Sequence, residues 1–368
     1  MKKNKLKINI ESIPRIYVSA AMRSGSSLIS NILNAHTDIN IIENFHFKRF
    51  IYQNGERLTK NLLNFKVKEM NARLKLKYNY KLNPNKIIKN TIRDGLSYRN
   101  LYNNLIQDQI EINQVKIVGE DSAMNWRFIE KFYKMYKNAR IIHIIRDPRS
   151  IFASWKKATY QKIDYWGCIF NCYDNMKYAE VYKKKLNKKK YMVVKFEDIL
   201  KNPKKFAIDV SNFLNIEFQT DMIKPYNWKK KFNNKSADLG WSSIEKKRMD
   251  GFYKNRIDSW KTQLTASEIF INELFLRKQL KNWRYKPQNP KINSEDLNLF
   301  FNNLKKSKYL SDLLGNYIQN DKGSDKLKDD PTDYKTWSGG RVNKKRFANT
   351  KKGVKYVNIL KELKKKYL

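Results

Sequence analysis

Arg23-Ser24-Gly25-Ser26-Ser27 follows a short apolar run, Ile16-Tyr17-Val18-Ser19-Ala20, and precedes Leu28, Ile29, Ile32 and Leu33 at helical spacing. A buried strand therefore gives way through a glycine turn to a helix start. The first N–H groups of a helix have no intrahelical partner and carry the positive end of its dipole, so a phosphate or sulfate placed there gains hydrogen bonds and a favourable field. Gly25 lets the backbone come close, and Arg23 adds a fixed cation. A nucleoside-triphosphatase loop needs two glycines separated by four residues and followed by Lys-Ser/Thr. With Gly25 as the second glycine, Ala20 and Ser26 stand where the first glycine and the lysine belong. A kinase or NTPase remains an alternative reading, but it lacks its two key residues.

A second anion site is written further along. Arg140-Ile141-Ile142-His143-Ile144-Ile145 reads as a strand buried on both faces, and it ends at Arg146-Asp147-Pro148. Asp147 suits a helix cap and Pro148 a first helical position, which places Arg146 at the carboxyl end of the strand and Ser154 about two turns into the helix. Together the two segments resemble the cofactor motifs of sulfotransferases that use 3′-phosphoadenosine-5′-phosphosulfate (PAPS). The resemblance implies that Arg23, Ser24, Gly25, Ser26 and Ser27 hold the 5′-phosphosulfate, and that Arg146 and Ser154 grip the 3′-phosphate. It continues through Tyr191–Leu200, similar to the family's late strand and Glu-Asp-Leu turn. It extends to Tyr253-Lys254-Asn255-Arg256 before Trp260-Lys261, similar to the basic loop over the 3′-phosphate. Lys254 matches in register; Tyr253 and Asn255 replace an arginine and a glycine, so Arg256 or Lys246-Lys247-Arg248 can substitute.

The implied reaction is in-line transfer of a sulfuryl group from PAPS to a hydroxyl or amine, leaving adenosine 3′,5′-bisphosphate. Cations from Arg23, Arg146 and Lys254 replace any metal, with Arg23 best placed for charge that develops in transfer. Tyrosylprotein and bacterial carbohydrate relatives place a catalytic glutamate just after the second strand. Glu43 is therefore the first candidate for the base and His46 the second. Where many relatives read Glu-Lys-Thr-Pro, this chain reads Glu120-Asp121-Ser122-Ala123, which makes Asp121 a third candidate. Carbohydrate, protein tyrosine and small alcohols all remain open as acceptors. His36 and His143 read as packing residues, and Cys168 and Cys172 as core.

Apolar segments near 15–20, 39–42, 115–119, 140–146 and 190–196 alternate with helical ones at about 26–36, 124–138, 148–158, 164–187 and 203–215. This predicts an α/β fold, a parallel sheet flanked by helices on both faces. Residues 1–286 read as one sulfotransferase domain with a helical insertion at about 45–114, either an acceptor-binding lid or a structural helical pair. Residues 287–368 read as a basic C-terminal extension, dispensable for the cofactor motifs, with an amphipathic stretch near 295–318. Thr265-Ala266-Ser267-Glu268 is a capping box. The 77 Lys and Arg against 35 Asp and Glu give a net charge of +42, a field that concentrates anionic cofactors and acceptors. A non-catalytic polyanion-binding protein is the remaining alternative; no specific nucleic-acid partner is expected, because no recognition motif accompanies the charge. No transmembrane segment and no leader are visible, so a cytoplasmic location is expected.

Overall fold

Strands as apolar as those around 16–20 and 141–145 can only sit in the middle of a covered sheet, and their side chains are buried throughout. The computed structural model describes residues 10–43, 57–78, 80–123, 126–159, 163–226, 228, 252–323 and 351–368. Its first half runs β1 (Arg15–Ala20), α1 (Ser26–Asn34), β2 (Ile39–Glu43), α2 (Lys60–Tyr78), α3 (Pro84–Arg93), α4 (Tyr98–Asn113), β3 (Ile117–Ala123), α5 (Ile129–Met135) and β4 (Ala139–Ile145). Then come α6 (Pro148–Thr159), α7 (Cys168–Lys185), β5 (Tyr191–Lys195), α8 (Phe196–Lys201) and α9 (Pro203–Leu214). The last helices are α10 (Trp260–Gln263), α11 (Ala266–Asn282), α12 (Ser294–Lys306), α13 (Lys308–Asn320) and α14 (Lys351–Tyr367).

The strands form one parallel sheet in the order β2-β3-β1-β4-β5. Side chains alternate across it, as period-two geometry demands. Ile16, Val18 and Ala20 face the core shared with α1 and α9, while Tyr17 faces the core shared with α4, α5 and α7. The predicted α/β class and five strands are observed. Boundaries moved where local chemistry intervened. The predicted helix at 124–138 is a 3-10 turn at Trp126–Phe128 followed by the shorter α5. The Glu197-Asp198 turn is the short helix α8, with both acids in its first turn. The amphipathic stretch splits into α12 and α13 because Ser307 caps the second helix through Leu310 N. The capping box at Thr265 and Glu268 is present at the start of α11.

The insertion contributes α2, α3 and α4. Helix α4 lies against β3, and Tyr102 Oη donates to Glu120 Oε2 at 3.1 Å beneath the rings of Phe132 and Tyr136. Helix α2 keeps one narrow wet stripe, Asn61, Asn64, Lys68, Asn71 and Lys75, while Leu62, Leu63, Phe65, Met70 and Leu74 are buried around the rest of it, as are Glu69 and Arg73. A helix buried over most of its circumference needs cover on several sides. Helix α14 supplies the missing cover, with Tyr356 and Leu360 buried in the same core and Tyr356 Oη donating to Glu69. Phe300, Leu304, Leu310 and Leu313 of α12 and α13 join that core as well. The C-terminal segment thus completes the fold around residues that precede it.

Leu360→Ala is accordingly expected to cost about 3 kcal/mol through the cavity it leaves, read as a lower urea midpoint. A chain ending at residue 286 should unfold earlier still. An unchanged midpoint for Leu360→Ala would show that α14 does not pack on α2.

Candidate active site

β1 and β4 are neighbours, and the chain turns outward from them in opposite directions, β1 toward β2 and β4 toward β5. This is the switch point at which open α/β sheets bind ligands, beyond the carboxyl ends of the strands. The turns after these two strands are the two predicted anion-binding segments, so the topology brings them together. Arg146 Nη1 donates to Arg23 O at 2.9 Å, and Arg23 Nε donates to Ser154 Oγ at 3.0 Å. The expected phosphosulfate loop and 3′-phosphate residues therefore form one continuous site.

Backbone strain shapes the first turn. Arg23 has φ 69° and Gly25 has φ 95°, both in the left-handed region. Gly25 is needed twice over there. Its φ suits glycine, and a Cβ at that position would overlap the Phe196 ring. No side chain caps α1, so its first N–H groups face the space in front of the turn. Ser24 is fully buried, and its Oγ has no hydrogen-bond partner. Ser26 and Ser27 open the helix itself.

Arg146 and Arg149, three residues apart, have opposite surroundings. Arg149 is neutralised: it donates to Asp147 Oδ1 and Oδ2, to Glu273 Oε1 at 2.6 Å and to Lys286 O, and it stacks on Trp260 at 4.0 Å. Arg146 is 8% exposed, yet among the described residues it donates only to two carbonyl oxygens, Arg23 O and Arg256 O. Its Nε is buried without a partner, and its guanidinium lies over the Phe196 ring at 4.4 Å. Burial pulls its pKa below the usual arginine value. Burial also pulls Arg23 down to about 10, and the charges of Arg146 and Arg256 act in the same direction. Three guanidiniums thus act on one another at the ends of β1 and β4.

Arg256 joins this group, whereas Lys254 is exposed. The loop around it is tied down by Ser150 Oγ, which donates to Ile257 O at 3.0 Å. Ser150 was not singled out from sequence, although Arg146, Ser150 and Ser154 repeat every four residues on one face. Glu43 ends β2 beside Asp121 in register; its side chain, like His46 and Lys246-Lys247-Arg248, lies outside the described residues. Asp121 turns under α1, where its Oδ2 accepts from Ser30 Oγ at 3.1 Å. His143 is buried with Nε2 donating to Asn175 Oδ1 and Nδ1 accepting from Tyr191 Oη, and burial lowers its pKa to about 4. His36 is buried against Glu217 O, and Cys168 and Cys172 are free thiols in the core.

A sequence profile described as the sulfotransferase family matches residues 14–220, more than half of the chain and the whole sheet with both turns. The chain belongs to the sulfotransferase family. It is therefore an enzyme of sulfuryl transfer. Among solved structures, it is similar in fold to the sulfotransferase domain from the curacin biosynthetic pathway, at 18% identity and a TM-score of 0.52, covering 74% of this chain and 98% of that one. It is likewise similar to the sulfotransferase domain of the Synechococcus PCC 7002 olefin synthase, at 14% identity and a TM-score of 0.51, covering 74% and 95%. A comparison with curated proteins finds no match.

Gly25→Ala tests the turn of this sulfotransferase. Strain at the left-handed position alone is worth about 1–3 kcal/mol, and displacement of Phe196 adds to it. A reduced denaturation midpoint is expected, and wild-type stability would show that the turn can relax away from Phe196.

Proposed function

We propose that the protein transfers a sulfuryl group from PAPS to a hydroxyl or amine acceptor, with Arg23–Ser27 facing the 5′-phosphosulfate and Arg146 with Ser154 facing the 3′-phosphate. The observation that carries this reading is the buried Arg146 guanidinium with no hydrogen-bonded carboxylate and an unpartnered Nε. A buried charge in that condition is costly unless an anion completes it. The unpartnered Ser24 Oγ at an uncapped helix start makes the same demand at the other end. Both orphans are donors, so an anionic nucleotide fits the residues present. Arg256 takes the part that the resemblance gave to Lys254.

PAPS supplies, when bound, an activated sulfuryl group on a 5′-phosphate leaving group. The chain's own residues do the rest. The α1 N–H groups and Arg23 oppose the negative charge that grows at the loop, a preorganised field that needs no reorientation. Glu43, at the end of the strand beside Asp121, accepts the acceptor's proton, with His46 as the second candidate. The hydroxyl-bearing acceptor, a carbohydrate or a protein tyrosine, enters on the side of the insertion. Residues 1–286 act as the sulfotransferase domain, buttressed by the C-terminal helices. The two buried, unpaired thiols are in keeping with a reducing, cytoplasmic setting.

Arg146→Ala and Ser154→Ala should weaken binding of adenosine 3′,5′-bisphosphate by at least about tenfold, the scale of one lost charge-assisted hydrogen bond. Arg23→Ala should mainly lower turnover, because its opposing charge grows during transfer. Calorimetry with and without a chelator, beside steady-state kinetics, checks the division; equal affinity losses in all three with unchanged turnover would contradict it. Glu43→Gln keeps the shape but cannot take a proton at neutral pH. Transfer should fall by ~10²–10⁴-fold with bisphosphate affinity retained. If Glu43→Gln stays active while His46→Asn or Asp121→Asn does not, the base is the residue whose loss mattered.

A further inference from the structure

Next to Arg146 along the chain and across the core lie three buried carboxylates, Asp147, Glu197 and Glu273, and among the described residues a single guanidinium, that of Arg149, is bonded to them. Arg149 is shared by Asp147 and Glu273, and Glu273 also accepts from the backbone N–H groups of Gln288 and Asn289. Among the described residues, Glu197 hydrogen-bonds to no cation. Its Oε1 accepts from Asp147 N at 2.8 Å and its Oε2 from Tyr285 Oη at 2.9 Å, both neutral donors. It is 5% exposed and directly follows Phe196, whose ring underlies the Arg146 guanidinium. Its charge acts on Arg146 without reaching it through a hydrogen bond.

A carboxylate in this position has two effects. It fixes the end of β4 through Asp147 N–H, which follows Arg146 directly. It also sets a negative charge behind the cation that must receive a phosphate, in surroundings where water screens little. We propose that Glu197 is a positioning residue whose charge, held by neutral donors, limits how tightly the Arg146 pocket holds the 3′-phosphate, so that the bisphosphate product leaves after transfer. The inference rests on the reading above that Arg146 faces this phosphate. Burial already disfavours the charged form of Glu197, and two directed donors keep it in place.

The test is the ratio of affinities for adenosine 3′,5′-bisphosphate and adenosine 5′-monophosphate, measured by calorimetry on the full chain. Glu197→Gln keeps both hydrogen bonds, since its amide oxygen accepts from Asp147 N–H and its amide nitrogen can donate to Tyr285 Oη. It should bind the bisphosphate about tenfold more tightly, the order expected for one removed charge at short range, and bind the monophosphate as before. Glu197→Ala removes charge and hydrogen bonds together. Its absolute affinities can fall, but the ratio should still rise. Tyr285→Phe keeps the charge and should not raise it. A ratio that stays level or falls in either Glu197 variant overturns the proposal and leaves Glu197 a purely structural residue. Arg146→Ala decides the underlying reading separately: it must erase the preference for the bisphosphate, and if the preference survives, the phosphate assignment fails whatever Glu197 does.

Discussion

A guanidinium buried without a hydrogen-bonded carboxylate is the constraint around which this molecule is organised. Arg146 can stay in that position only because β1 and β4 are adjacent and parallel, so that Arg23 O and Arg256 O accept its hydrogen bonds and Phe196 lies beneath it. Each of these neighbours is in turn held by something else. Phe196 fills the space that Gly25 leaves free, and the Arg256 loop is fastened by Ser150. The strained left-handed turn at Arg23 and Gly25 is the local cost of bringing the segments after β1 and β4 within one hydrogen bond of each other. Arg149 shows the alternative that was available. Three residues away, the same side chain is fully bonded to acids and is a strut, not a binding group.

The sheet and both turns were legible in the sequence because they depend on local signals: unbroken apolar runs, a glycine at a helix start, Asp-Pro at a helix cap. Asp147 does accept from Arg149 N, as that cap requires. The packing of the last hundred residues was not legible. Helix α2 carries buried residues around most of its circumference, and nothing in its own pattern says that a helix beginning at Lys351 covers it. Only the tertiary structure pairs Tyr356 with Glu69. The basic loop was legible only in outline. Register with the resembling loop pointed to Lys254; in the structure that lysine is exposed at the 3-10 turn Lys254–Arg256, while the charge of Arg256 acts on Arg146.

The net charge of +42 takes on a different meaning once burial is known. Among the described residues, Glu69, Asp108, Glu120, Asp121, Asp147, Asp174, Glu197, Glu268 and Glu273 are buried, against Arg15, Lys66, Arg73, Arg146 and Arg149. Acids are thus spent inside on arginines, tyrosines and backbone N–H groups, while most lysines remain outside. The surface is more basic than the sequence total indicates. Its field reaches only about 8–10 Å at physiological salt and is screened further as salt rises. It can speed the approach of any anion, but it cannot tell one from another.

Discrimination has to come from the charges that salt does not screen. Arg146 is such a charge, enclosed by Phe196, the Arg256 loop and the β1 turn, and its geometry is set by directed hydrogen bonds. A phosphate that reaches it exchanges water for a fixed cation in a low-dielectric site, where the interaction is strong and sensitive to a shift of an ångström. An enzyme built this way must hold its donor firmly and still release a product carrying the same phosphate. A pocket of converging guanidiniums alone serves the first need and opposes the second. On the reading proposed above, Glu197 reconciles the two, because its charge lowers the local positive potential without a hydrogen bond to Arg146.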